Sequence, residues 1–205
     1  MRESSSDKGI RMAGFDQNRF EALVLYIAHR RRDDERFGRT KLAKVLFYSD
    51  FAIYQDQGEP LTGATYIRMP FGPFPKALEE TEQVLEAKGL AVLAHDGEDE
   101  YEEKRIIPTK SAPDLRGLFE EWQILVVNDW IDRVGAASAA QISEMSHHHP
   151  GWLLAKNNGD TIPYGTAILP QSRPTALETS RAKEVARGRG WQSGDGEWLW
   201  ERSPN

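Results

Sequence analysis

The run from Arg39 to Pro75, RTKLAKVLFYSDFAIYQDQGEPLTGATYIRMPFGPFP, constrains the fold of this chain more than any other stretch. Leu42, Val45, Leu46, Ser49, Ala52 and Ile53 recur at the three-and-four spacing of one apolar helix face. Gly58 is placed to end that helix. The residues that follow alternate apolar and polar side chains through Ala64, Tyr66 and Met69, then stop at Phe71-Gly72-Pro73, so they read as a strand or extended arm closed by a turn. The expected class is mainly α with a small β component: one helical domain carrying a winged-helix-like hairpin.

A chain of 205 residues can bury a core without covalent staples. It contains no cysteine, which removes disulfides, thiolate metal sites and thiol nucleophiles and fits a reducing compartment, with the cytoplasm the simplest assignment. No apolar run approaches the ~20 residues of a membrane-spanning helix. The first 14 residues lack the apolar centre of a secretory signal and read as a flexible tail. A net charge of -6 argues against general phosphate-backbone binding. The charge is uneven: His29 to Arg32, Arg36, Arg39, Lys41 and Lys44 form a basic zone, and Asp96, Glu98, Asp99, Glu100, Glu102 and Glu103 crowd one loop.

Asp16 is a candidate N-cap for a first helix, with Phe15 and Phe20 at the staple positions and Phe20, Leu23, Val24 and Ile27 as its buried stripe. Arg31 and Arg32 fall near its end, where they stabilise the helix dipole or dock an acidic partner. In the central helix Lys41, Lys44 and Tyr48 share a face, expected to be solvated and able to grip a phosphate or a partner carboxylate. Pro75 is expected in the first turn of another helix, running to Gly89. LAVLAH and EKRIIPTK then read as a hairpin around the acidic loop. So many carboxylates at a wing tip would repel DNA, which leaves a solvated loop or capture of a basic protein.

The longest helix is expected from Pro113 to about Val134, with Leu115, Leu118, Phe119, Trp122, Leu125, Val126 and Trp130 or Ile131 inward and Gly135 at its end. Ser138 and Gln141 form a capping-box pattern for a short helix burying Ile142 and Met145. His147, His148 and His149 are consecutive, so on a helix they diverge by about 100° each and cannot share one metal ion. No metal or cofactor is expected, and His147 is assigned a structural hydrogen bond near Trp152. A last helix from Pro174 and a hairpin bearing Trp198 and Trp200 complete the chain. The domain expectation is a tail over 1–14, one domain over 15–170, and a Trp-rich extension over 171–205 packed on it.

Three blocks together resemble the Panacea, or SocA-like, antitoxin domain of bacterial and phage toxin–antitoxin systems. They are KLAKVLFYSDFAIYQDQGEPL, YIRMPFGPFPKAL and ISEMSHHHPGWLLA, in the family's order and spacing. The chain departs from the family in having Phe71 where Tyr is commoner before Gly-Pro, and in its Trp-rich end. Lys41, Leu42, Lys44, Tyr48, Gly72, Pro73, His147 and Trp152 match the motifs; Leu42, Phe71, Gly72, Pro73, His147 and Trp152 are expected to be scaffold.

The resemblance implies a non-catalytic antitoxin that neutralises a co-encoded, often translation-directed toxin by direct binding, alarmone-synthetase relatives being among such toxins and phage defence a setting. A cognate toxin is the implied partner, with homo-oligomers or toxin hetero-oligomers open and neither nucleic acid nor membrane expected. Partner-contact candidates are Lys41, Lys44, Tyr48, Arg31, Arg32, Trp198 and Trp200. The alternatives are a DNA-binding autorepressor, an adaptor delivering the toxin to the ClpXP protease, and an enzyme centred on Lys44, Asp50 and the histidines.

Overall fold

The computed structural model describes residues 14–96 and 103–169, which belong to a unit ending at Leu169. The N-terminal tail up to residue 13, the acidic loop tip, the helix expected from Pro174, and Trp198 and Trp200 lie outside the described residues. Helix α1 spans Gln17–Arg30 and starts as its sequence dictates. The Arg19 amide donates to Asp16 Oδ1 at 3.0 Å, and Phe15 meets Phe20 edge to face at 5.6 Å. Phe20, Leu23, Val24 and Ile27 are fully buried.

Helix α2, Arg39–Gln57, occupies the centre. Every residue from Lys41 to Phe51 is buried, so this helix has no solvated face in its middle turns. That corrects the amphipathic expectation for Lys41, Lys44 and Tyr48. The reason is that the domain wraps α2 on all sides and supplies internal partners for Lys44, Tyr48 and Asp50. Gly58, at φ +75°, ends the helix in the left-handed conformation that glycine adopts without strain.

The arm after α2 becomes β1, Tyr66–Ile67, the central strand of a small antiparallel sheet. Tyr66 pairs with Pro75 of β2, Phe74–Pro75, and with Ile162 of β5, Thr161–Ile162. Pro75 is therefore an edge-strand residue rather than the first turn of a helix. Helix α3 begins later, at Leu78–Ala87, and Gly89 at φ +64° turns the chain. The hairpin follows as expected, with β3 at Ala91–Asp96 pairing β4 at Glu103–Pro108.

Helix α4 spans Glu121–Ala136, shorter than expected, because Gly117 at φ +79° interrupts the run from Pro113 and Glu120 opens the helix with a capping box to Gln123. Its inward stripe is Val127, Ile131 and Val134; Trp122 and Leu125 face outward at 38% and 63% exposure. Gly135 is inside the helix, and its missing side chain makes room for Arg31. A Cβ there would fall 2.2 Å from the Arg31 guanidinium. Helix α5, Ala139–His147, carries the expected Ser138–Gln141 capping box and buries Ile142, but Met145 is 42% exposed. Helix α6, Pro150–Leu154, leads through β5 to a short 3₁₀ helix at Tyr164–Ile168.

Candidate partner-binding site

Segments far apart in sequence meet at the turn Met69–Pro73. Gly72 donates its amide to Met69 O at 2.9 Å and holds φ +97°, a region costly for any residue with a Cβ. Space makes the same demand: a Cβ on Gly72 would lie 2.0 Å from Ser146 Oγ and 2.9 Å from Lys44 Cε. Ser146 is itself fixed, its hydroxyl donating to Ser143 O at 2.7 Å in a fully buried position.

Lys44 donates to Pro73 O at 3.0 Å from inside the domain. No carboxylate among the described residues pairs with it, and burial pushes its ammonium down to about 7. His147 Nε2 lies 3.1 Å from Pro70 O; a carbonyl can only accept, so this nitrogen carries the proton. Burial lowers the His147 imidazole, against an opposing pull from the Pro70 carbonyl and Glu144. Trp152 Nε1 donates to Met69 O at 3.2 Å. Three backbone carbonyls of one short turn are thus gripped from α2, α5 and α6.

The grip is stiffened by stacking. The His147 ring lies 4.2 Å from Trp152 at an interplanar angle of 23°, and the Arg68 guanidinium lies 3.4 Å from a Trp152 ring centroid. Arg68 also donates to the carbonyls of Trp152 and Ala155, capping the end of α6. Its neighbour His149 opens the same helix, Nδ1 accepting from the Gly151 amide at 3.1 Å while the ring packs on Phe47 and Phe51. Burial holds that imidazole down at about 4. The three histidines therefore make separate contacts, His148 turning to Glu144 O.

A buried polar cluster supports the arm leading to the turn. Asp50 accepts from the Thr62 amide at 2.7 Å, the Thr62 hydroxyl at 2.6 Å and the Tyr66 hydroxyl at 2.8 Å, while Tyr164 donates to Ala64 O at 2.7 Å. Complete burial raises the Asp50 carboxyl, and these hydrogen bonds pull in the opposite direction. Asp50 is closed inside this cluster, while Lys44 and His147 hold the turn and His149 packs on Phe47 and Phe51.

Around this clamp the surface is apolar. Phe71 is 56% exposed, Met69 37% and Leu153, next to Trp152, 60%. Met145, next to Ser146, is exposed as well. The fixed turn thus carries exposed aromatic and thioether side chains over half-buried His147 and Trp152.

The sequence candidates fall in different places. Tyr48 is buried and stacks on Trp130 at 4.4 Å, Leu42 is core, and Lys41 lines a separate cleft. Arg31 is half-buried and ties α1 to α4 by donating to Ile131 O at 2.7 Å and Asp132 Oδ1 at 3.2 Å. Arg32 remains exposed beside Asp33. Gly72, Pro73, His147 and Trp152 are brought together. Arg68, Met69 and Ser146 were missed; only the position of Arg68 and Met69 at the mouth of a Phe-Gly-Pro turn could have signalled them.

The fold and site define an α+β domain in which the first and third motif blocks clamp the turn carried by the second. The profile described as antitoxin SocA-like, Panacea domain, matches residues 42–153, more than half of the chain. The chain belongs to this antitoxin family, which places it in toxin–antitoxin biology. No curated protein and no solved structure matches it. No helix among the described residues is long and apolar enough to cross a membrane.

Proposed function

We propose that this protein neutralises a cognate protein toxin by binding it directly through the face built on the Met69–Pro73 turn. The observation that carries the reading is the convergence of two distant blocks on that turn, with Phe71 held outward at 56% exposure by contacts to backbone atoms of its neighbours. A rigid aromatic anchor at the surface loses little entropy when it enters a partner's pocket. Membership of an antitoxin family supplies the kind of partner. The basic and acidic regions would then act mainly on association rate and selectivity.

The test is co-expression with the product of the neighbouring open reading frame, scored by growth and by co-purification. Wild type rescues growth and elutes with the toxin; Phe71→Asp keeps its thermal transition but loses both. Rescue without a complex overturns direct neutralisation in favour of transcriptional control or delivery to a protease. Rescue and complex formation both unaffected by Phe71→Asp would move the interface elsewhere.

A further inference from the structure

A second site lies away from the turn. The C-terminal end of α4, the start of α5, the loop before α2 and strand β4 enclose a cleft of about 620 Å³. Arg36, Lys41 and Arg105 line it together with Ser138 and Ala139, and Glu35 is the carboxylate among its described lining residues.

Lys41 gives the cleft its chemistry. It is 3% exposed, yet no hydrogen bond or ion pair engages its ammonium among the described residues. A lysine whose stem is packed in the domain and whose unpaired ammonium reaches the wall of a cleft is available to an anion there. Arg105 adds to this, its Nε being buried without a hydrogen-bond partner. The third contribution is the N-terminus of α5, a nine-residue helix. Its capping box engages the amides of Ser138 and Gln141, leaving those of Ala139 and Ala140 with no bond among the described residues. Free amides at a helix start and the positive end of its dipole both favour an anion. The end of α4 and Glu35 oppose this, but three cations outnumber the one carboxylate.

We propose that this cleft binds a phosphoryl group, as free phosphate or carried on a small metabolite. A tetrahedral dianion can accept from the Lys41 ammonium, the Arg36 and Arg105 guanidinium groups and the α5 amides together. A single carboxylate offers fewer acceptor directions. No aromatic side chain is among the described lining residues, so the site recognises the phosphoryl group rather than a stacked base. This proposal is independent of the toxin-binding face, because Phe71 and Trp152 do not line the cleft.

The experiment is calorimetric titration of the full chain with inorganic phosphate, pyrophosphate and ribose 5-phosphate, with sodium chloride at matched ionic strength as control. Saturable binding of inorganic phosphate assigns the free anion. Binding of ribose 5-phosphate or pyrophosphate alone assigns a phosphorylated metabolite. In either case Lys41→Met weakens binding about tenfold or more, since a charge-assisted contact is lost. Methionine keeps the packed stem of Lys41 and leaves the fold intact; should Lys41→Met fail to fold, the exposed Arg36→Gln serves, weakening binding several-fold. Amide resonances of Ala139 and Ala140 shift on titration in the wild type. Absence of saturable binding to all three probes, or binding unchanged in every variant, overturns the site.

Discussion

Replacing Gly72 by alanine tests the clamp at its tightest point. Two costs add. Holding a non-glycine residue at φ +97° is worth about 1–2 kcal/mol. The new Cβ would also sit 2.0 Å from Ser146 Oγ, and that hydroxyl cannot swing away without giving up its bond to Ser143 O inside the core. Overpacking of this kind costs about 1–3 kcal/mol. The sum is about 2–5 kcal/mol, which with a urea slope near 2 kcal/mol/M lowers the denaturation midpoint by about 1–2.5 M. Gly117→Ala is the control: its φ is +79°, but a Cβ there meets nothing within 4 Å, so only backbone strain remains. That variant should lose about 1 kcal/mol. Adding Ser146→Ala to Gly72→Ala removes the nearest obstructing atom and should restore part of the loss, a coupling of about 0.5–3 kcal/mol. Equal midpoints for Gly72→Ala and Gly117→Ala would refute the close packing of the turn against α5.

Other expectations follow from the buried titratable groups. Because the Lys44 ammonium is held at about 7, the unfolded chain binds more protons than the folded one between that pH and about 10.5. Its contribution to stability therefore improves as pH rises through this window, and Lys44→Met should flatten the slope in urea midpoints measured from pH 7 to 10. His149 has the same sign lower down: held at about 4, it destabilises the fold as pH falls from about 6.5 to 4, by up to about 3 kcal/mol. His149→Asn keeps an N-cap acceptor for Gly151 and should remove that acid dependence. Asp50→Asn places an amide N–H₂ against groups that already donate to the carboxylate and should cost about 2–4 kcal/mol by thermal or urea unfolding. Gly135→Ala displaces the Arg31 guanidinium from Ile131 O and should cost about 1 kcal/mol, read the same way.

Local chemistry was the most legible part of the sequence. The Asp16 cap, the Phe15–Phe20 staple, the Ser138–Gln141 box and the Gly58 stop depend on residues within one turn of each other, and each appears as written. What failed depended on surroundings. Spacing alone gave α2 a wet face, yet Lys44, Tyr48 and Asp50 are satisfied by Pro73, Trp130 and Thr62, partners that no period of 3.6 reveals. Periodicity turns Trp122 and Leu125 of α4 inward because it fixes a stripe only once the helix start is known, and Gly117 moves that start. At the turn, motif resemblance singled out Gly72, His147 and Trp152 together, but cast them only as scaffold. Their common target, the backbone of Met69 to Pro73, emerges from three-dimensional contacts.

Hydrogen exchange on the protein alone and in complex with its proposed toxin partner tests the proposed face most directly. The account predicts new protection confined to the amides of the Met69–Gly72 turn, the end of α5 and α6, with α1 and the β3–β4 hairpin unchanged. Protection of α1 or the hairpin with the turn unaltered would contradict it.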